Sequence, residues 1–447
     1  MYSTSCFVRR TAAFTLSLLG LFTAAGAWAQ DAVASAAPAA AAPTISAGDT
    51  AWVLASAALV MLMTPGLGLF YGGMVRQKNV LSTILQSFIL VALIGVQWVV
   101  WGYSLAFGAG NAFWGDLNFM FLHGVTQANS PVTNIPHLAF VMYQAMFAII
   151  TPALISGAFA ERIRFKAYIF FMLAWSTLVY DPVCHWVWHA NGVFNKMGAL
   201  DFAGGTVVHM TAGYSALVLC LLMGKRKGYG QENMVPHNMT MVLTGTGLLW
   251  FGWFGFNAGS ALGANALAAN AFMTTNTAAA TATLSWCFLE ALHRGKSSAL
   301  GAASGAVAGL VAITPAAGFV DVTGALWIGL LVSPICYFFV VVIKQKFGYD
   351  DSLDAFGVHG VGGTFGAIMT GIFANPAVNP VGRGWLYGNP HQVVVQLYTV
   401  GATLLYSAAL TAFLWIVFER LFGMRAVNKE EELGLDISQH GEEGYLI

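Results

Sequence analysis

The chain has 447 residues, 57% hydrophobic and only 9% charged, with 19 Lys and Arg against 19 Asp and Glu and so no formal net charge. A soluble domain carries roughly 25% charged residues, and so sparse a set could not cover a surface in water; the balanced charge also excludes the basic footprint of a nucleic-acid binder. Together with a mean hydropathy of +0.69 and 50 glycines, this is the composition of a polytopic membrane protein whose helices pack through small side chains. Cys6, Cys184, Cys220, Cys287 and Cys336 form no C-x-x-C pair, which predicts neither a disulfide framework nor a thiolate metal site.

In chain order, Arg9 and Arg10 precede an apolar run from Thr11 to Ala25 and then Ala27-Trp28-Ala29. A basic start, a short apolar core and an A-x-A site predict a cleaved signal peptide over 1–29, since about 15 apolar residues fall short of the ~20 needed to span a bilayer. Residues 30–48 form an Ala/Pro-rich leader with no periodic pattern. Apolar segments then recur at 50–72, 80–107, 136–159, 167–190, 203–223, 238–260, 269–291, 298–316, 322–344, 357–375 and 394–421, which predicts an all-α membrane domain of eleven transmembrane helices over 49–422. Residues 423–447 remain as a tail.

The breaks between segments carry a charge code. The loops after odd-numbered spans, together with the C-terminal flank, hold 15 Lys and Arg, whereas the opposite loops hold only Lys196 and Arg383. The positive-inside rule puts the mature N-terminus outside and the C-terminus in the cytoplasm, as an odd number of spans also requires. Span five opens with Asp201 and reaches His209 and Gly213; span ten opens with Asp351 and reaches His359 and Gly363. Both read D-x7-H-x3-G and enter from opposite faces, which predicts an inverted 5+5 repeat plus one extra helix, with a site at the midplane between the halves.

Eight residues at 1.5 Å each is ~12 Å, so each histidine lies near the centre of a ~30 Å hydrocarbon core. A lone buried histidine is ordinarily just a satisfied core residue. Two in equivalent repeat positions instead point to a cavity, where intramembrane ionisable groups are found. A pair sharing one proton offers a donor on one ring and an acceptor on the other, which suits a small neutral hydrogen-bonding solute or a proton relay; no third ligand for a metal is evident. Trp253, Phe256 and Ser260 follow at i, i+3 and i+7, Tyr143 and Phe147 lie one turn apart, and His185-Trp186-Val187-Trp188 closes span four. Aromatic stripes at helical spacing are usually packing. A hydroxyl, Ser260, on the same face near the outer mouth favours attraction of a small cation. Asp201 reads first as an N-cap, with an added electrostatic contribution to a cation site.

Several stretches resemble the ammonium transporter family (Amt/Mep/Rh) from about residue 50 to the C-terminus: T-P-G-L-G-L-F-Y-G-G at 64–73, G-A-F-A-E-R-I-R-F at 157–165, D-F-A-G-G-T-V-V-H at 201–209, P-H-N at 236–238, G-W-F-G-F-N-A-G-S at 252–260 and F-G-V-H-G-V-G-G at 356–363. The resemblance implies a homotrimer with one pore per subunit. It implies that Trp188, Phe147 and Ser260 form an outer ammonium-recruitment site supported by Asp201. Phe147 and Phe256 then form a stacked gate, with Tyr143 beside it where relatives often have Phe, Trp253 lines the pore, and His209 and His359 are the twin histidines of the lumen. Keeping Trp188 and Ser260 favours the microbial branch over the Rhesus type.

The substrate so implied is ammonium or ammonia (with methylammonium as an analogue), the location a bacterial inner membrane, and no cofactor is called for. The tail, from Glu430-Glu431-Glu432 through Gly434-Leu435-Asp436 to His440-Gly441-Glu442 and Tyr445, resembles a signature that packs across subunits and helps a trimeric PII-type nitrogen-regulatory protein block the pores; Gly444, where relatives often have Ala, implies a weaker local helix. Two other functions compete. An ammonium sensor is disfavoured by the short tail, and a carbon dioxide or urea channel by the cation-recruiting Trp188 and Ser260. An enzyme has no support in any nucleotide motif, nucleophile elbow or metal cluster.

Overall fold

A computed structural model describes residues 45–126 and 134–445; the expected signal peptide and the leader up to residue 44 lie outside them. Among the described residues the structure is helical, with one isolated antiparallel bridge between Ile163 and Arg425. Each of the eleven apolar segments falls on a helix. They are α1 Ala47–Met74, α2 Gln77–Phe107, α3 His137–Ala158, α4 Phe165–Lys196, α5 Gly205–Met223, α6 Met239–Ala261, α7 Ala266–Arg294, α8 Ala299–Ile313, α9 Val322–Phe347, α10 Phe356–Phe373 and α11 His391–Phe422. A short tail helix, α12 Asn428–Leu433, follows.

Nine of these are long and apolar enough to cross a membrane. The remaining two differ for separate reasons. α7 is long, but its Ala, Thr and Asn content leaves it only weakly apolar. α8 has 15 residues, about 22 Å of helix against a ~30 Å core, and is followed by turns as far as 319.

Glycine packing does what the composition predicted. On α1 and α6, a Cβ at Gly245 would stand 2.7 Å from the Gly66 carbonyl oxygen and from Phe70 Cα, so only glycine allows these backbones to approach so closely. On α7 and α8, Gly309 sits likewise against Ala278 and Ala279, where a Cβ would lie 2.6 Å from the Ala278 oxygen. Bilayer lipid is as apolar as a leucine side chain, so such close contact, rather than hydrophobic burial, holds membrane helices together. α3 is buried on nearly all sides while α9 and α11 leave most of their surface open, which puts α3 at the centre of the domain.

Six of the helices, α2, α4, α5, α6, α9 and α10, are not α-helical throughout. Wider π turns interrupt them at Trp98–Gly102, Ser176–Tyr180, Gly205–Met210, Phe254–Ala258, Phe338–Ile343 and Phe356–Gly360. Such single-turn bulges are frequent at functional sites, and three of them carry His209, Phe256 and His359.

The tail folds back on its own chain. Asp436 accepts the first-turn N–H groups of Leu81 (3.0 Å) and Ser82 (2.7 Å) at the start of α2. Burial raises the Asp436 carboxyl above its ordinary value, and these bonds oppose that rise. Lys78 Nζ donates to the carbonyls of Glu431 and Glu432, Gln439 joins Phe165 N to Ile163 O, and the Tyr445 hydroxyl meets His237 and Asn238. Gly444 is not helical here; it lies tight against the Val80 side chain, so its role is close approach, not helix formation.

Candidate functional site

The two D-x7-H segments meet at the centre of the domain. Neither begins as the regular helix its spacing suggested: residues 201–204 form a loop that leads into a π turn, and 351–354 do the same. In each case the aspartate ties down the turn. Asp201 accepts from the N–H groups of Gly204, Gly205, Thr206 and Val207 at 2.7–3.1 Å. Asp351 accepts from Ala355, Phe356 and Gly357 at 2.8–3.4 Å. Both carboxylates thus satisfy helix-start donors that would otherwise be orphaned, and the capping interpretation of Asp201 accounts for all its side-chain bonds. Its backbone carbonyl makes the other connection, accepting from Trp188 Nε1 at 2.9 Å.

α5 and α10 then cross through paired glycines. A Cβ on Gly213 would press on the Gly360 backbone and lie 2.9 Å from the His359 carbonyl carbon, while one on Gly363 would lie 2.9 Å from the Gly205 oxygen and 3.0 Å from His209 Cβ. The glycine of each D-x7-H-x3-G motif therefore lets the other motif's histidine in. The rings of His209 and His359 stack at 5.3 Å and 15°, with Nδ1 3.3 Å from Nδ1. One ring donates and the other accepts, so whichever way the proton lies, one outer nitrogen is a donor and the other an acceptor. His209 Nε2 is buried without a partner in the protein.

Two narrow cavities, each of about 10 Å³, meet at His359. One is lined by Ile150, Leu249, Trp253, Phe256 and both histidines among others; the second by His359, Tyr71, Ser304, Val358 and Asp354 among others. The first is apolar except at the imidazoles. An unpartnered nitrogen in such a space costs desolvation free energy unless a guest hydrogen-bonds to it.

Above the pair, Phe147 and Phe256 pack at 4.3 Å and 38°, Phe147 meets the Trp188 ring edge-on at 5.7 Å, and Tyr143 meets Phe147 at 5.0 Å. Trp253 stacks on His209 at 5.4 Å and donates Nε1–H to Thr314 Oγ1 at 2.8 Å, so it belongs with the histidines rather than with Ser260. The π turn at 254–258 breaks the i, i+3, i+7 face: Trp253 stays in ring contact with Phe256 at 5.5 Å, but Ser260 parts from it. Ser260 Oγ donates to the Phe256 carbonyl at 2.9 Å and lies 3.2 Å from the Tyr143 hydroxyl, which also reaches the Gly255 and Phe256 carbonyls. With its proton so placed, Ser260 turns acceptor lone pairs to its surroundings.

Phe147, Trp188, Phe256, Tyr143 and Ser260 thus form one connected group, which Phe256 joins to a second of His209, His359 and Trp253, and Asp201 supports both through the backbone. Thr314 and Asp354 were not singled out from the sequence. Thr314 carried no signal, whereas Asp354 lies within the span-ten motif and could have been asked its purpose. Among the described residues no group of three or more His, Cys, Asp or Glu could hold a metal.

Known proteins resemble the chain in sequence and in fold. A model of the Ammonium Transporter Family matches residues 51–445. The ammonium transporter of Aquifex aeolicus is 50% identical over 410 residues, covering 90% of this chain and 94% of that one. The crystal structure of Saccharomyces cerevisiae Mep2 superposes with a TM-score of 0.82 at 38% identity, covering 86% of this chain and 89% of its own. A structure titled Sensor Amt Protein does so with a TM-score of 0.82 at 28% identity, covering 88% and 98%. Matched over nearly all of its membrane-spanning length, the chain is a multi-pass membrane protein and belongs to the ammonium transporter family.

Proposed function

We propose that the protein recruits ammonium at the Trp188, Phe147 and Ser260 group, strips its proton, and passes ammonia between Phe147 and Phe256 into the apolar cavity, where His209 and His359 hydrogen-bond it. The carrying observation is the buried, unpartnered His209 Nε2 beside a second imidazole that supplies the complementary group. Solvation supports the reading. Moving an ammonium charge into an apolar space costs several kcal/mol or more, and potassium, which has no proton to leave behind, cannot take the same route. Asp201 assists by fixing Trp188 and the helix start, with a long-range attraction for the cation.

The wider assembly follows from the same reading. All eleven helices cross the bilayer as an inverted 5+5 repeat plus one, with the N-terminus outside and the tail in the cytoplasm of a bacterial inner membrane, after removal of residues 1–29. Subunits form a homotrimer, and a PII-type regulator acts at the tail face. The matching aspartate, histidine and glycine contacts of α5 and α10 support the repeat.

Currents across a supported membrane carrying the purified protein test the transport reading: an ammonium pulse gives current, or an ammonia-driven pH change inside vesicles if the proton is left behind, and a potassium pulse gives neither. Ser260→Leu raises the half-saturating ammonium concentration roughly tenfold while the protein stays folded. A second reading, an ammonium sensor with little flux, draws on the likeness to the Sensor Amt Protein; absence of both current and pH change, with ammonium still binding, would favour it.

A further inference from the structure

The lower cavity ends at a charge that transport of a neutral molecule does not call for. Below His359, Asp354 supplies a carboxylate to its lining, on the face where the tail packs. Its Oδ1 is held by Lys344 Nζ, from the end of α9, at 2.7 Å. Both side chains are mostly covered, Lys344 with 16% and Asp354 with 23% of its side chain exposed. Asp354 is held in the left-handed region, φ +59°, a conformation uncommon outside glycine and costly enough to persist only where the surroundings impose it. Its carbonyl accepts from Val358 N and its own N–H reaches the Asp351 carbonyl, so the strained turn is pinned at the head of the helix that carries His359.

Without Lys344 this would be a carboxylate at the edge of a narrow cavity, the kind of group that collects small cations. The lysine head is itself a substituted ammonium ion. It brings to Asp354 the charge and the N–H donors that a free ammonium would bring, but on a tether that cannot leave. We infer that Lys344 is a specificity-determining residue: a built-in ammonium that occupies Asp354 and keeps free ammonium and potassium from lodging at the tail-side mouth, so that ammonia leaves past an already neutralised acid. The inference rests on the pore proposed above and adds a role for the tail-side end of that pore.

The test uses the full-length protein in oriented vesicles, with ammonium, and separately potassium, varied on the tail side while influx from the opposite side is measured. Wild-type influx establishes the pore independently of Lys344. Lys344→Met is expected to leave influx into ammonium-free vesicles within about twofold of wild type and to lower the tail-side ammonium or potassium concentration that half-inhibits it about tenfold. Lys344→Arg keeps wild-type behaviour, and Lys344→Met with Asp354→Asn loses the added inhibition because the exposed carboxylate is gone. Unchanged inhibition in folded Lys344→Met protein would overturn the inference while leaving the transport reading standing, as would inhibition that persists in the double variant. If Lys344→Met does not fold, Lys344→Gln, one atom shorter but still a hydrogen-bond donor without the charge, must show the same sensitivity or the inference fails.

Discussion

Gly213→Ala adds one methyl group at the point where α5 and α10 cross. That methyl would sit 2.9 Å from the His359 carbonyl carbon and closer still to the Gly360 backbone, all atoms that no rotamer change can move aside. Ordinary contact begins at 3.4 Å, so α5 and α10 must part by roughly 0.5 Å at His359 and by more at Gly360. The histidine nitrogens start 3.3 Å apart, already long for a hydrogen bond, and such an opening takes them out of reach. Overpacking of this kind costs about 1–3 kcal/mol, little enough for a folded protein to survive, yet it uncouples the two rings. The expected result is a protein that purifies and melts a few degrees lower, with ammonium flux into vesicles reduced about tenfold or more. Gly363→Ala, whose nearest contacts are 2.9 and 3.0 Å, has the smaller effect of the two. Wild-type flux in Gly213→Ala would refute the claim that this crossing sets the pair.

Further outcomes follow from the caps and the ion pairs. Asp201→Ala leaves four N–H groups without their acceptor and destabilises the protein by about 1–3 kcal/mol in thermal or detergent unfolding; Asp201→Asn, with one acceptor oxygen left, recovers part of it. Burial by itself would raise Asp350, but the Arg226 hydrogen bonds and the nearby Arg162 outweigh it and hold the carboxyl below 3.8. A depressed carboxyl gives stability that is fully present above its unfolded value and is lost as pH falls through the folded one. The melting-temperature gap between wild type and Asp350→Asn is therefore constant above about pH 5 and closes as the pH drops below about 4; a gap that closes between pH 5 and 7 would assign the ionisation to another group.

Much of the membrane domain was legible in the sequence because the bilayer admits few solutions. Backbone groups must be paired internally, so an apolar run of the right length can be little else than a helix, and all eleven runs are helical. The histidine pair was legible for a related reason: equal spacing from an aspartate in two oppositely entering segments puts equal depths at one place. What stayed hidden depends on departures from the regular α-helix or on contacts between distant residues. The π turn at 254–258 sends Trp253 toward His209 and leaves Ser260 with Tyr143, and no residue there announces a π turn. Lys344 resembled one more cytoplasmic cation in the charge code until the fold brought Asp354 to it. The tail resembled a regulatory signature, but nothing in its residues named Leu81 and Ser82 as its partners.

That last contact changes what a truncation experiment measures. Asp436 is the acid that closes the N-terminal turn of α2, more than 350 residues upstream. Removing the tail to ask whether it regulates the pore also unseals a membrane helix, leaving the Leu81 and Ser82 amides bare at the tail-side rim. A loss of activity on deletion would then be a folding defect wearing the appearance of a lost regulator. Exchanging Asp436 alone, with the rest of the tail intact, separates the two.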